Sequence, residues 1–494
     1  MLPEHQETVP SRVGLQNLPA ELLLQIIGLF ANPARCREDF VPLYSLSLTN
    51  RRLYHLTIPF LFRVVDNRWY NERRFPEMIL RNPRLASEIK YLACLNRPAK
   101  PPRIVSVLSR RGWQALSEKA EELGLRNARR FCHLGQAYSL TDFVAVLLLL
   151  TPNLECLDVS DDIEFGDTYW GNDSDAAMWM PILEDAGCDQ SSLGIRHFQH
   201  LHTIRIARGS SRLEPKAESI LSLFKLRSLR TLILEKRYLT PAELIQDHEE
   251  DSIESSVENL YLLDCQIDSS TVAYMLSLIK ALRVFVHEWA RIMWPSRIAD
   301  LGTDARMDHS TLTTALLAQK DSLEYLSIHS GSETRGDEMH ATLCDLGEMH
   351  KLHFLEVGLE NFAAKMKPPA SDTTLLNQGI GIAELLPRCL RKLHISIKHL
   401  GRNDGFWTTY LAAVTAHCKV KAPALTEVKL FLVHRKPEDE TVRPKTFPLV
   451  GSIKGATMSI EYLFNSRHQL DKGRRYLSKE VEFRTLMYDF VPPS

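Results

Sequence analysis

Two hydrophobic patterns share this chain, one with the period of a helix and one with the period of a strand. Residues 15–30 read LQNLPAELLLQIIGLF, where Leu22, Ile26 and Leu29 recur at i, i+4 and i+7 while Leu18, Leu23, Ile27 and Phe30 widen the stripe. That spacing predicts an amphipathic helix whose apolar face is too wide for one supporting neighbour. Asn17 is placed to cap it, Pro19 falls in its first turn, Glu21 suits its positive end, and Asn32-Pro33 stops it. A second apolar cluster, FVPLYSLSLTNRRLYHLTIPFLFRVV at 40–65, predicts a helix capped by Thr49 or Asn50, carrying Leu53 and Leu56 and ended by Pro59. The whole unit spans about fifty residues, where a core is marginal without metals, disulfides or a partner. It holds no metal-ligand set, so part of its apolar face is expected to be finished by another protein.

Past residue 65 a short phrase returns: apolar, two spacers, apolar, one spacer, apolar. It starts at Leu154 (LECLDV), Leu201 (LHTIRI), Leu229 (LRTLIL), Val257 (VENLYL), Leu323 (LEYLSI), Leu352 (LHFLEV), Leu390 (LRKLHI) and Leu425 (LTEVKL), with weaker copies at Ile89 (IKYLAC) and Leu282 (LRVFVH). The alternating end of the phrase predicts a half-buried strand. Stretches such as DFVAVLLLL, AESILSLFKL, TVAYMLSLIKA and TLTTALLAQ lie between copies and predict helices. Strand, helix, strand, helix implies an α/β architecture, a parallel sheet with helices on its outer surface.

Composition narrows the class. The chain has 494 residues, more than one compact core usually holds, so several units or one elongated array are expected. With 44% hydrophobic residues, 24% charged and a net charge of −1, neither nucleic acid nor an anionic membrane is favoured. The longest apolar run, FVAVLLLL at 143–150, is far below the roughly 20 residues that span a bilayer. The start, MLPEHQETVPSR, lacks the basic-then-apolar pattern of a secretory signal, and the 9 Cys are scattered singly with no C-x-x-C pair. Both features point to a cytoplasmic or nuclear protein with reduced thiols. The sequon at Asn172 then reads as incidental.

Catalytic motifs are not found. G-x-S-x-G, H-E-x-x-H and the phosphate-binding G-x-x-x-x-G-K loop do not occur, and Gly379-x-Gly381 lacks a third glycine and reads as a loop entering a helix. His197, His200 and His202 are close in sequence but share no strand face with a carboxylate or thiolate, and His350 and His353 read the same way. Acid runs such as Asp161-Asp162 and Glu249-Glu250-Asp251 read as solvated turns, and the arginine pairs at 110–111 and 129–130 lack interleaved aromatics. No catalytic, cofactor or metal residues are assigned, no cofactor is expected, and the chain is expected not to be an enzyme. Two inserted stretches hold aromatics suited to binding: 161–192 with Tyr169, Trp170 and Trp179, and 287–310 with Trp289 and Trp294. Packing of those rings beneath their own loops is the equal alternative.

The N-terminal residues resemble an F-box. Leu18-Pro19-x-Glu21-Leu22, then Ile26-Ile27, Leu46-Ser47-Leu48-Thr49-x-Arg51-Arg52-Leu53 and Pro59-x-Leu61-Phe62-Arg63 stand in the order and spacing of that motif, in the version common in filamentous fungi. Asn50 departs from the usual Cys, and the loop at 31–40 is somewhat long. The stretch FPEMILRNPRLASEIKYLACL at 75–95 is similar to the segment that follows the F-box in such proteins. The repeated phrase resembles a leucine-rich repeat horseshoe. Phrase starts nevertheless lie from 25 residues apart (Val257 to Leu282) to 65 apart (Ile89 to Leu154), against about 20–29 in regular repeats. The Asn or Cys expected after the phrase occurs once, as Cys265, so the turns are expected to be irregular. An unrelated α/β domain is the alternative for 66–435.

These resemblances imply an F-box at 13–65, an irregular leucine-rich-repeat-like substrate-binding region at 66–435, and a cap or tail at 436–494. They imply docking on a Skp-family adaptor, and through it a cullin, as the substrate-recognition subunit of an SCF-type ubiquitin ligase, with an unknown protein as substrate. A Skp-bound scaffold without ligase output, and an enzyme with an appended F-box, are the alternatives. Carried onto this chain, the docking residues are Leu18, Pro19, Leu22, Ile26, Leu46, Leu48 and Leu53. Substrate contacts are expected on the face opposite the repeat core, at the spacer between the last two apolar positions. Those spacers read Asp158, Arg205, Ile233, Tyr261, Val286, Ser327, Glu356, His394 and Lys429. Among them Asp158, Arg205, Tyr261, Ser327, Glu356, His394 and Lys429 are the candidate contacts, an aromatic anchor with charges toward both ends.

Overall fold

The computed structural model describes residues 17–30, 40–67, 74–94, 107–126, 128, 140–160, 179–187, 197–207, 217–239, 254–289, 309–329, 346–359, 381–398, 404–435, 451–453 and 455–465. Three helices come first: α1 (Ala20–Phe30), α2 (Phe40–Ser47) and α3 (Arg51–Arg63), packed against one another. Each buries a narrow i, i+4 stripe, Leu23 with Ile27 on α1, Leu43 with Ser47 on α2, and Leu53 with Thr57 on α3. Small and branched side chains at these positions let the three helices approach closely.

Two local expectations shift. Helix α1 starts at Ala20, so Pro19 stands just outside it and its carbonyl accepts from the Leu23 amide at 3.1 Å; Asn17 lies too early to cap. Asn50, rather than Thr49, caps α3, its side-chain oxygen accepting from the Leu53 amide at 2.8 Å. Pro59 does not end α3 but sits inside it. A proline in a helix interior removes one hydrogen bond. Here α3 runs directly into the first strand, which anchors its far end. Arg52 ties the unit together, its guanidinium donating to the Leu18 carbonyl at 2.9 Å.

The rest is a single α/β system. Strand β1 (Val64–Asp66) follows α3, and then come α4 (Arg74–Arg81), α5 (Pro83–Glu88), β2 (Tyr91–Cys94), α6 (Arg110–Glu122) and α7 (Leu140–Leu150). Next are β3 (Cys156–Ser160), α8 (Met180–Gly187), β4 (Thr203–Ala207), α9 (Ala217–Ser222), β5 (Thr231–Glu235) and the short β6 (Tyr238–Leu239). After β7 (Asn259–Ile267) lie α10 (Ser269–Ser277), β8 (Val284–Trp289), α11 (His309–Leu317), β9 (Tyr325–His329) and β10 (Phe354–Gly358). The last described elements are β11 (Lys392–Lys398), α12 (Asp404–Lys421), β12 (Glu427–Arg435), β13 (Gly451–Ile453) and β14 (Ala456–Asn465). These strands form one 14-stranded sheet, laid down in chain order and parallel throughout, except that β13 pairs antiparallel with the outer edge of β14. Strand β6 pairs only with β7.

Each of the ten phrases becomes a strand that begins two residues after its first apolar position. All three apolar positions point into one core. Leu154, Leu157 and Val159 show the pattern, as do Leu390, Leu393 and Ile395, every one fully buried. Apolar residues of α7, α8, α10, α11 and α12 pack into this same cluster, so the described helices cover one sheet face. On the opposite face a small buried apolar cluster gathers around Ile233, and no described helix contributes to it.

A backbone device repeats at each step from β2 to β12 along the main sheet path. The carbonyl of Lys90 accepts from the amides of both Glu155 and Cys156, and that of Glu155 accepts from His202 and Thr203. The same forked contact continues through His202, Arg230, Glu258, Arg283, Glu324, His353 and Arg391. It locks each strand to its predecessor in one register, so residues of equal rank in every phrase line up across the sheet. Cys265 does the comparable work at a turn: its thiol donates to the Leu234 carbonyl at 3.3 Å and its sulfur accepts from the Arg237 amide at 3.4 Å. The stretch after 435 adds β13 and β14 to the sheet, so the sheet does not stop at β12.

Candidate functional site

Two surfaces carry groups that folding leaves unused. The first is on the N-terminal helices. Leu22 and Leu29 on α1, Val41 and Tyr44 on α2, and Leu48 in the turn that follows α2 are all exposed, Leu29 at 73% and Leu48 at 68%. On α1, Ile26 joins Leu22 and Leu29 in one stripe beside the buried one, and Val41 and Tyr44 recur at i and i+3 on α2, with Leu48 following in the turn just past its end. Exposing that much apolar surface is unfavourable in water unless something covers it. Of the residues expected to dock, Pro19, Leu22 and Leu48 are exposed, and Leu18, Ile26 and Leu46 are half-buried. Leu53 is different. It is 3% exposed, held within the three-helix packing, and has no surface to offer a partner.

The second surface is the open face of the sheet. The register puts the nine spacers in one unbroken row, each directly beside the next: Asp158 by Arg205, Arg205 by Ile233, and on through Tyr261, Val286, Ser327, Glu356 and His394 to Lys429. Alternation brings two flanking rows to the same face, one starting at Tyr91 and Cys156 and ending at Lys392 and Glu427, the other containing Glu235, His329 and Phe431.

The face has two chemically distinct ends. At β3–β5, Arg205 lies between two carboxylates, 3.1 Å from Asp158 and 2.5 Å from Glu235, and the Tyr91 hydroxyl donates to Asp158 at 3.1 Å. All of these are buried. Burial pushes the Asp158 carboxyl above its usual range against the pull of Arg205 and Tyr91. Burial also disfavours the Arg205 charge, but Asp158 and Glu235 outweigh it and raise its pKa. This is an internal lock between strands. Asp158 and Arg205, expected as substrate contacts, are spent on each other, and Ser327 is likewise buried at 3%. Tyr261 is half-buried against Ile233, and its hydroxyl is pushed up to about 12 by burial.

At β9–β12 the face is partly open and differently made. Tyr325 and Phe354 stack at 4.2 Å, Phe354 meets His394 edge-on at 4.7 Å, and His394 meets Phe431 at 5.6 Å. His329 contacts Glu356 at 3.0 Å. Glu427 receives His394 at 3.0 Å, Lys392 at 3.6 Å and Lys429 at 3.9 Å. Burial pushes the Glu427 carboxyl up, yet His394, Lys392 and Lys429 together hold it below its ordinary value. Burial lowers the His394 pKa, partly offset by its bond to Glu427.

The rings and Glu427 escaped the sequence reading, which took one spacer per phrase. The same alternation, applied two residues earlier or later, selects Tyr325, Phe354, Lys392, Glu427 and Phe431. Trp179, expected in a binding insertion, is buried in the main core. Trp289 lies at the end of β8, while Tyr169, Trp170 and Trp294 fall outside the described residues.

Other reactive side chains have structural roles. The His197 ring donates to the Leu148 carbonyl at 2.6 Å, and burial lowers its pKa to about 4. Burial pushes the thiols of Cys156, Cys265 and Cys418 up to about 12, which keeps them protonated at neutral pH. Among the described residues no group of His, Cys, Asp and Glu is arranged to hold a metal ion, and no helix is long and apolar enough to cross a membrane. No protein-family model and no curated protein matches the chain.

Proposed function

We propose that this chain is the substrate-recognition subunit of an SCF-type cullin–RING ubiquitin ligase. In this reading α1–α3 form an F-box that docks on a Skp-family adaptor, and the sheet is an irregular leucine-rich-repeat-like solenoid that holds a protein substrate. One observation carries the proposal: α1, α2 and the turn after α2 keep Leu22, Leu29, Val41, Tyr44 and Leu48 outside a unit already closed by Leu23, Ile27, Leu43 and Leu53. The motif residues from Leu18 to Arg63 supply the family, and the contact of Arg52 with the Leu18 carbonyl supports treating them as one unit.

The chain would perform no bond chemistry. Its contribution is proximity: holding a substrate beside a ubiquitin-loaded enzyme raises the effective concentration of its lysines. Leu18, Pro19, Leu22, Ile26, Leu46 and Leu48 would face the adaptor, while Leu53 supports them from inside. Each apolar side chain fully covered contributes about 1.5–3 kcal/mol before association entropy is subtracted.

The test is co-expression with a Skp-family adaptor followed by size-exclusion chromatography, then addition of the cullin–RING pair. Co-elution of all components supports a ligase receptor. Adaptor without cullin makes the chain a scaffold, and no adaptor at all removes the F-box reading.

A further inference from the structure

The rim where the strands begin carries a row of charge. It is made of the residues that stand immediately before each strand, whose carbonyls also make the forked contact. Lys90 pairs with Glu155 at 2.5 Å, Arg230 with Glu258 at 3.7 Å, and Arg283 with Glu258 at 3.8 Å and Glu324 at 3.1 Å. Each of these cations meets a carboxylate before a neighbouring strand. The row then passes His353 and reaches Arg391, where the next residue in line is Thr426 and the pairing stops.

Two further cations stand beside Arg391. The Cys389 thiol donates to the carbonyls of Met349 at 3.2 Å and Leu352 at 3.3 Å, which lays the turn bearing Arg388 and Arg391 against the one bearing Lys351. Lys351, Arg388 and Arg391 are all exposed, and no side chain of the three makes an ion pair or hydrogen bond with a described residue. The acids around them are engaged elsewhere. Glu324 takes two Arg283 nitrogens at 3.1 Å, Glu348 takes Lys320 at 3.2 Å, and Glu384 takes Lys421 at 2.6 Å. Asp321, just ahead of the preceding phrase, makes no ion pair with a described residue and offsets one of the three charges.

We propose that this rim, at the start of β10 and β11, binds an acidic segment of a partner protein through Lys351, Arg388 and Arg391. Guanidinium groups grip carboxylates through paired N–H donors, and the ammonium adds a point charge. The number of cations decides the class of partner. An anionic membrane is recognised by a cluster of about 4–8 Lys and Arg, and a nucleic acid is held by about 6–10 phosphate contacts. Three exposed cations near an acid, in a chain of net charge −1, fall short of either and suit a short run of carboxylates. The rim lies well along the sheet from α3 and β1, so it is separate from the helices proposed to dock on the adaptor. Its test uses neither adaptor nor cullin, and either proposal can fail alone.

The experiment is fluorescence anisotropy with the full chain and three labelled peptides of equal length. The first carries a run of aspartates, the second replaces them with asparagine, and the third with lysine. A single-stranded oligonucleotide of similar size is the fourth probe. The acidic peptide is expected to bind at least about tenfold more tightly than the other three, and more weakly as salt rises from about 50 to about 300 mM. Changing Lys351, Arg388 and Arg391 together to Ala should weaken it about tenfold or more, while Arg230→Ala, on the same rim but already paired, should leave it unchanged. Circular dichroism checks that the variants fold. Arg391→Ala alone, expected to lose about threefold, decides the matter if the triple variant does not fold. The proposal is overturned if the acidic probe does not bind, or if the asparagine or lysine peptide binds as well. It is equally overturned if the oligonucleotide binds more tightly, if the folded rim variants behave as wild type, or if Arg230→Ala loses as much as they do.

Discussion

Arg205 on β4 lies 3.1 Å from the Asp158 carboxylate on β3, and both side chains are buried on the face of the sheet that no described helix covers. The contact joins strands that the backbone already pairs, and Glu235 on β5 extends it to a third strand. Removing one member of a buried ion network leaves the others desolvated and unpaired, at a cost of about 3–5 kcal/mol. Arg205→Met alone should therefore lower the urea midpoint sharply. The triple change Arg205→Met, Asp158→Asn and Glu235→Gln should recover most of the loss, because no uncompensated charge remains. If the single and triple variants unfold together, the network is not a stabilising lock. A defect in substrate capture caused by Arg205 variants would then need another explanation than lost structure.

His197 makes stability depend on pH. Its folded pKa is about 4 against an ordinary value of 6.5, so between those values the unfolded chain takes up a proton that the folded chain refuses. The contribution is complete above pH 6.5 and declines as pH falls toward 4. At pH 5 the difference amounts to about 2 kcal/mol. His197→Gln keeps a donor for the Leu148 carbonyl but cannot titrate. Its denaturation midpoint should fall less between pH 7 and pH 5 than that of the wild type, and identical slopes would count against this assignment.

Gln319 is a buried amide that joins two repeats. Its nitrogen donates to the carbonyls of Leu276 at 3.2 Å and Ile279 at 2.8 Å, while its oxygen accepts from the Leu282 amide at 3.1 Å. Gln319→Leu leaves three backbone groups without that partner and should destabilise the chain by about 2–4 kcal/mol. Hydrogen exchange should show the loss first at the amides of α10 and the start of β8. Unchanged protection there would mean that water replaces the amide without penalty.

How much the sequence discloses varies with the element, for identifiable reasons. The ten strands are legible because each phrase buries three side chains in fixed rank, and a parallel sheet repeats that rank at every step. Strand β14 is hidden because its register puts Gly455 where other phrases carry Leu, Ile or Val. Strand β1 is hidden because Asn67 occupies the last apolar position of its phrase. Pro59 misleads because a breaker signal is local, whereas α3 is held by its Asn50 cap and by the strand that follows it. Alternation also identifies which residues share the open face, and the register confirms that row position by position. It cannot tell which of them meet solvent. Asp158 and Arg205 satisfy each other, so they are internal, while the same rank at Glu356 and His394 stays half-exposed.

The docking face yields two opposite expectations from neighbouring leucines. Leu29 and Leu48 are largely exposed, so replacing either with Asp should change stability by less than about 0.5 kcal/mol. Leu53 is buried among the three helices, so Leu53→Ala should destabilise that unit by about 2–5 kcal/mol. A loss of stability in the first pair, or none in the second, would show that the exposed and buried stripes are assigned the wrong way round.

The most direct test of the account is a binding titration between purified Skp-family adaptor and two forms of the full chain, wild type and Leu22→Asp with Leu48→Asp. Both altered residues are exposed, and the double variant should keep the circular dichroism spectrum and the urea midpoint of the wild type. The account predicts saturable one-to-one binding for the wild type and a loss of at least about a hundredfold, near 2.7 kcal/mol, for the variant. Equal binding by both forms, or none by the wild type, would contradict it.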